Sequence, residues 1–577
     1  MSRRSQLGLL ATTLVLAAPV GAQAKQQQPY QHVPNAVAEG SRGAAATVDS
    51  VATNAALEVL KRQGNAVDAT IAAAAVLGVT EPFSAGVGGG GFMVIRTPEG
   101  DVTTIDSREE SPAAMEPDSF YPAGTTFNNA RYSGLSAGVP GTVAGWEKAL
   151  DEYGSWSFKR VLAPAIDVAR TGFVIDSTFA SQAAGNDTFF AQIPASEALY
   201  GDPDAGEIQR NPDLARTYER IAQLGADGFY EGPIAEAIVD AVHDVPATWL
   251  PGLMTEEDLA DYEAIEREPT HVQYRGLDVY SMAPPSSGGS TVGEALNILE
   301  QLPAYAAGTE AQKLHYFLEA SRFAFADRNA CVADPEFYPV PLATLLSDAF
   351  AAQRAALIGP TAATSPVAPG MNCPKADGTF QPTQSTTHLT VADDDGMVVS
   401  YTFTIESTGG NGIVVPGWGI LLNNELTDFN YLASEANHPN QPDGGKRPRS
   451  SMAPTIIEDD GEPFVALGSP GGSMIITTVL QIIAERVDFG RTLPEAIADP
   501  RASQRNTATV AWEAAFPRAL LTPFGHVFAP NPAEIGAATG IEWLPSGDLQ
   551  AVAEPVRRGG GAAGALDWPG RGHGYGR

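Results

Sequence analysis

A threonine hydroxyl set beside a second hydroxyl, with backbone N–H donors in front of it, can do acyl-transfer chemistry. Thr386, Thr404, Gly471 and Gly472 are spaced to allow it. Residues 386–392 (Thr-Thr-His-Leu-Thr-Val-Ala) and 397–405 are rich in β-branched and aromatic residues. They flank Asp393-Asp-Asp-Gly396, a turn signal, and so read as a β-hairpin. With the turn centred on Asp395 and Gly396, the numbers of facing residues sum to about 790. That sets Thr386 opposite Thr404 to within one residue, close enough to hydrogen-bond across the strands. Gly468-Ser-Pro-Gly-Gly-Ser473 follows an expected strand at 464–467 and precedes an expected helix at 477–486. Consecutive glycines there offer N–H groups to a developing oxyanion. Each feature alone has an ordinary counterpart. Threonine is common in strands, and Gly-rich runs make tight strand-to-helix turns.

Two other patterns are misleading. Gly86-x-Gly88-x-x-Gly91 matches a dinucleotide-binding motif, which needs a strand before it and a helix after it. Here a strand, 92–95, follows. Gly134-Leu-Ser136-Ala-Gly138 matches a nucleophile elbow, which needs a buried strand ahead of it. Asn128-Asn-Ala-Arg-Tyr-Ser133 is a poor one, although a helix after Pro140 keeps Ser136 open as an alternative nucleophile. The eight histidines show no metal-binding spacing, so neither a metal nor a cofactor is expected.

The surrounding elements must position these residues. Helices are expected at 48–60, 66–77, 140–153, 291–301 and 310–327, with strands at 102–106, 273–282 and 420–422. Residues 155–265 look mainly helical. Residues 355–384 lack periodicity and read as an exposed linker that ends next to Thr386. Helices interleaved with strands imply a mixed architecture. A net charge of −33 disfavours nucleic acid and anionic membranes as partners. Residues 1–24 read as a secretory signal, with Arg3-Arg4, an apolar stretch from Leu7 to Val20, and Ala22-Gln23-Ala24 as the cleavage site. The stretch is too short to cross a bilayer. Cys331 and Cys373 are then a disulfide candidate, with two free thiols as the alternative.

Taken together and in order, the motifs resemble one family. Gln384-Ser385-Thr386-Thr387-His388 resembles the processing site of the gamma-glutamyltranspeptidases. Gly86–Phe92, Asp106-Ser-Arg108-Glu109, Gly138–Gly145, Gly419–Phe429, Arg447–Pro454 and Gly468–Ser473 resemble further motifs of that family. The resemblance implies an α+β fold, a four-layer αββα sandwich of the N-terminal nucleophile hydrolase type. It implies a precursor in which the Thr386 hydroxyl attacks the Ser385 carbonyl. The cut separates a large subunit, 25–385, from a small subunit, 386–577, which stay together as a heterodimer in one compact unit. The implied activity is transfer or hydrolysis of gamma-glutamyl groups from glutathione and related amides, in the periplasm or outside the cell. A sibling acylase and a catalytically silent binding protein remain as alternatives.

The resemblance also assigns residues. Thr404 hydrogen-bonds the nucleophile, and Gly471 and Gly472 form the oxyanion hole. Arg108, Ser450 and Ser451 hold the substrate α-carboxylate, while Glu425 and Asp428 hold its α-ammonium. The family commonly has Asn two residues after the second threonine, where this chain has Glu406. A carboxylate accepts from an ammonium but cannot donate, and it adds negative charge beside a carboxylate-binding site, which implies altered or weaker gamma-glutamyl selectivity. The segment 430–446 looks short for the family's lid loop, which implies a more open site.

Overall fold

The computed structural model describes residues 28–124, 126–373 and 385–567. The expected signal sequence, 1–24, and linker residues 374–384 lie outside them. Two antiparallel seven-stranded sheets form the centre. The first runs in space Val37–Gly40, Leu549–Ala553, Thr539–Trp543, Glu462–Gly468, Thr455–Asp459, Leu277–Ser281, Thr270–Tyr274. The second runs Ala562–Leu566, Gly43–Thr47, Thr387–Ala392, Val398–Thr404, Gly90–Arg96, Val102–Ser107, Ile265–Arg267. Each sheet mixes strands from before and after residue 385.

Alternation along the strands builds the layers. Ala44, Ala46, Val94, Ala392 and Val398 of the second sheet meet Ile456, Ala466, Ile541 and Ala551 of the first. The intervening residues point outward. Leu389, Val391, Val399 and Tyr401 pack under the helices Ser50–Lys61 and Ala66–Thr80. Ile457, Val465, Leu467 and Val552 pack under Gly288–Glu300, Glu310–Cys331 and Met474–Val487. The result is the expected four-layer αββα sandwich. Alanines are mixed with Val, Ile and Leu in the gap between the sheets. Ala66–Thr80 is buried along its whole length, which is why its faces are Ala-rich. Asn65 and Asp68 form a capping box at its start.

Several local expectations change. The strand expected at 273–282 is two strands, Thr270–Tyr274 and Leu277–Ser281, joined at Arg275 and Gly276 with φ of 53° and 85°. Two positive φ angles make the tight hairpin turn that matches strand twist, and an arginine rarely announces one. Residues 420–422 form no strand. Gly417 and Gly419, both at positive φ, fold that segment back so that only Val414 and Leu421 bridge. The helix after Pro140 starts at Thr142, because the Gly141 and Thr142 N–H groups both go to the Gly89 carbonyl.

Cys331 and Cys373 are joined as a disulfide with Cα atoms 5.4 Å apart. It ties the linker to the end of helix Glu310–Cys331. Further ties are Gly370 N–H to Asp327 at 2.5 Å and Val367 N–H to Asn506 at 2.7 Å.

Candidate active site

Strand register brings the two threonines together. Thr387 pairs with Phe403 and Val391 with Val399, so Thr386, at the entry to the strand, faces Thr404. Their Oγ1 atoms are 3.0 Å apart. Thr404 Oγ1 also accepts from the Glu406 N–H at 2.9 Å. It keeps a proton and a lone pair with which to meet the Thr386 hydroxyl. Thr386 has φ 90°, a conformation that β-branched residues rarely adopt.

The residues around Thr386 are aimed at the preceding peptide. The carbonyl oxygen of Ser385 accepts from the Gly471 N–H at 3.3 Å, and the Thr386 carbonyl accepts from Arg558 Nη1 at 2.8 Å. Ser385 Oγ donates to the Phe83 carbonyl at 2.9 Å. Gly471 and Gly472 have φ of 134° and 57°, which favours glycine and turns their N–H groups away from the ordinary helical direction. They sit directly before Ser473 and the helix Met474–Val487.

His388 is not a base for Thr386. Its ring nitrogens engage the hydroxyls of Thr402 and Thr390 at 2.8 and 3.1 Å. Burial pushes it down to about 3, so it stays neutral. Ser136 is not placed as a nucleophile either. It is fully buried, and its Oγ donates to the carbonyls of Arg131 and Ser133 at 2.6 and 3.0 Å.

Gly86–Gly91 serves close packing rather than a dinucleotide. A Cβ at Gly89 would overlap the Thr404 carbonyl, and one at Gly88 would overlap the Leu421 carbonyl. Gly89→Ala is therefore expected to displace Thr404 and cost about 1–3 kcal/mol, read as a lower Tm by calorimetry. An unchanged Tm would show that the glycine is not needed for this approach.

Thr386 and Thr404 open onto a cavity that also takes Gly472, Ser450, Ser451 and the charged residues Arg108, Glu406, Glu425 and Asp428. Asn423 gathers distant segments around it. Its side chain accepts from the Gly138 N–H at 2.9 Å and donates to the carbonyls of Gly88 and Gly138. Its Oδ1 also holds the Glu425 N–H at 3.0 Å. Arg108 follows the strand Val102–Ser107 and is fully buried. It pairs with Glu425 and, at 2.6 Å, with Asp428, and donates to the Pro448 carbonyl at 3.1 Å. Burial pushes Glu425 well above the usual carboxylate range, with Arg108 opposing, and pushes Glu109 up to about 7. Glu406 accepts from Ser407 Oγ and Asn424 Nδ2. One guanidinium thus serves several carboxylates, an arrangement that suits an incoming cation.

Sequence reasoning missed Arg328 and Arg449, which also line the cavity, and Arg558. Arg449 sits inside the Arg447–Pro454 motif beside Ser450. Arg558 lies 172 residues from Thr386 and carries no local signal. Segment 430–446 folds down on the site. Asn430 and Asn440 pair through their backbones, and Lys446 Nζ donates to the Pro439 and Gln441 carbonyls. Among the described residues one group of metal-type donors converges, His315, Glu319 and His526. It does not line the cavity. His315 pairs with His526 at 2.9 Å, and Glu319 is held by Arg322 at 2.9 Å.

Comparison with known proteins follows the same lines. A family model described as gamma-glutamyltranspeptidase matches residues 52–564. A glutathione hydrolase proenzyme of Bacillus subtilis (strain 168) is 36% identical over 574 residues, covering 96% of each chain. One from Escherichia coli (strain K12) is 39% identical over 481 residues, covering 80% of each. Among solved structures, cephalosporin acylase from Bacillus halodurans superposes with a TM-score of 0.82 at 29% identity, covering 96% of this chain and 100% of that one.

Proposed function

Because the chain belongs to the gamma-glutamyltranspeptidase family, and so is an enzyme with the N-terminal nucleophile hydrolase fold, we propose that it cuts itself before Thr386. It then uses Thr386 to transfer or hydrolyse gamma-glutamyl groups of glutathione and related amides. The observation that carries this reading is the geometry of the uncut Ser385–Thr386 peptide. The Thr386 hydroxyl is hydrogen-bonded to Thr404, and the Ser385 carbonyl oxygen already rests on the Gly471 N–H.

In the first step Thr386 Oγ1 attacks the Ser385 carbonyl carbon, and its proton leaves through the Thr404 hydroxyl. Negative charge grows on the Ser385 oxygen, where Gly471 donates. The C–N bond then breaks, the Thr386 nitrogen takes a proton, and an ester replaces the amide. Water hydrolyses the ester. Strain at Thr386, of the order of 1–3 kcal/mol for such a backbone, favours release of the peptide. In the intact chain the Thr386 nitrogen is an amide and no base. Freed, it is an α-amine that titrates at roughly 7.7–8.0 in model peptides, able to take the proton of its own hydroxyl.

The same groups serve the substrate. Thr386 forms the acyl-enzyme, with Gly471 and Gly472 at the oxyanion, and water or an amino acid accepts the acyl group. An amino-acid head group enters as a zwitterion between Arg108 and the carboxylates of Glu425 and Asp428. Its carboxylate replaces them on Arg108, and its ammonium replaces Arg108 on them, so charge stays balanced throughout. Residues 25–385 and 386–577 remain together as two subunits, because each sheet interleaves strands of both. Secretion after loss of residues 1–24 agrees with the Cys331–Cys373 disulfide. The reading is tested on a denaturing gel with N-terminal sequencing of the smaller band. It requires Thr-Thr-His-Leu, and a preparation that hydrolyses gamma-glutamyl amides while remaining one chain would refute it.

The acylase-type structural neighbour favours a second reading, a glutaryl-type amide that keeps the carboxylate and lacks the ammonium. Glu406 bears on the choice, since its negative charge assists an ammonium. Glu406→Asn is expected to shift preference about tenfold toward glutaryl over gamma-glutamyl anilides in kcat/KM. Unchanged ratios across such a panel would remove Glu406 from specificity.

A further inference from the structure

Arg328 lies in the last turn of the helix Glu310–Cys331 and is 4% exposed. The hydrogen-bond partners of its guanidinium are neutral. Nε donates to Ser287 Oγ at 2.9 Å, Nη1 to Asn329 Oδ1 at 3.1 Å and Nη2 to Ser451 Oγ at 2.7 Å. No carboxylate lies within ion-pair distance of it among the described residues. We propose that Arg328 is a positioning residue that fixes Ser451 and Ser450 as hydrogen-bond donors to a carboxylate of the acyl donor. The proposal rests on the reading of the cavity as an acyl-donor site with a carboxylate at the serines. It holds for a gamma-glutamyl or a glutaryl donor alike.

Hydrogen-bond polarity is the reason. A guanidinium only donates, whereas a hydroxyl has one proton and two lone pairs. Ser451 Oγ, accepting from Arg328, keeps its own proton for the cavity that it lines. Ser450 Oγ accepts from the Met452 N–H at 3.1 Å and likewise keeps its proton. Ser287 transmits the same constraint to the backbone. Its Oγ accepts from Arg328 and donates to the Ser450 carbonyl at 2.6 Å, next to the Ser287 N–H bond to that same carbonyl at 2.9 Å. One guanidinium therefore sets both the orientation of the Ser450–Ser451 segment and the direction of a hydroxyl in it. Two outward O–H donors suit an anion and not an ammonium.

Electrostatics point the same way. Burial and the neighbouring Arg449 press Arg328 well below its ordinary range, a cost that an anion in the cavity relieves. Glu425 and Asp428 would receive the cationic end of a zwitterion, and Arg108 together with the two serine hydroxyls that Arg328 orients its anionic end.

The test is a double-mutant cycle on the processed enzyme with Arg328→Met, Ser451→Ala and both together. kcat and KM are measured for gamma-glutamyl and glutaryl p-nitroanilides, and self-cleavage is followed on a gel. Arg328→Met is expected to raise KM for the accepted donor roughly 10- to 100-fold, with kcat within about threefold and self-cleavage complete. In the Ser451→Ala background it should add clearly less than in the wild type, the remainder being what acts through Ser287 on Ser450. Arg328→Lys, which keeps the charge but cannot reach both serines in the same fork, should give an intermediate KM. Multiplying effects in the cycle, an unchanged KM, or a fall in kcat alone would overturn the proposal. So would loss of self-cleavage in both the Met and Lys variants, which would make Arg328 a residue of the fold. A wild-type enzyme that hydrolyses neither donor would instead defeat the underlying reading of the cavity, and the proposal with it.

Discussion

Thr386→Ala is expected to leave the precursor as a single chain and to lower turnover of gamma-glutamyl amides by roughly 10⁴- to 10⁶-fold, the range seen when a catalytic nucleophile is removed. Both losses have one cause. Without Oγ1 nothing attacks the Ser385 carbonyl, so the α-amine is never freed and no acyl-enzyme forms. The fold should persist, because Thr386 precedes the first ladder pair, Thr387 with Phe403. Circular dichroism and Tm should therefore stay close to those of an uncut wild-type chain. Thr386→Ser keeps a hydroxyl and should still cut. Thr404→Ala removes the 3.0 Å partner and should slow both steps by about 10–100-fold, the worth of one good hydrogen bond to a reacting group. If the purified Thr386→Ala protein were still cut after Ser385, the cut would have to be made by something else.

Arg108→Met is expected to raise KM for gamma-glutamyl donors by about 10²–10³-fold, since removing one partner of a buried, hydrogen-bonded charge pair costs about 2–5 kcal/mol. The substrate would lose the α-carboxylate partner proposed for it. The empty enzyme loses the cation that the structure places on both Glu425 and Asp428. Those carboxylates then sit in a buried, negatively charged cavity. Glu425, already raised by burial, rises further in the variant because the lowering influence of Arg108 is gone. A group whose folded pKa is raised contributes stability that is present below its unfolded value, near 4.3 for Glu, and lost as pH rises through the folded value. The variant should therefore melt closer to wild type in mild acid and fall progressively below it toward neutral and alkaline pH. Calorimetry across that range, beside steady-state kinetics, checks both effects. A KM within a few-fold of wild type would place the head group elsewhere.

Arg108→Met and Thr386→Ala also separate two kinds of knowledge about this chain. The hairpin that carries Thr386 was legible because its information is local. Asp393–Gly396 sets the turn, β-branched residues set the strands, and register then follows by counting. The helices Ser50–Lys61 and Ala66–Thr80 were legible for the same reason. The turn at Arg275-Gly276 was not, because an arginine adopts positive φ only when the flanking strands impose it. Residues 420–422 misled because their apolar side chains fill a core from a folded-back loop, without a ladder.

At the site the division is sharper. The residue types at 386, 404, 471 and 472 offered a candidate nucleophile and candidate oxyanion donors, and the resemblance of the ordered motifs to one family gave them those roles. The ion pairs of Arg108 with Glu425 and Asp428 were not readable, since they join positions 317 and 320 residues apart and depend on how those segments meet around Asn423. Nor was Arg328, on a helix of the opposite layer, or Arg558, near the end of the chain. Their roles come from hydrogen bonds to Ser451 and to the Thr386 carbonyl, and no pattern along the chain records a contact between distant layers. Sequence alone determined the chemistry on offer, because hydroxyl, glycine and strand register are local. Only the tertiary structure decided the electrostatics around it, because buried charges take their partners from wherever the packing of the two sheets and their helices brings them.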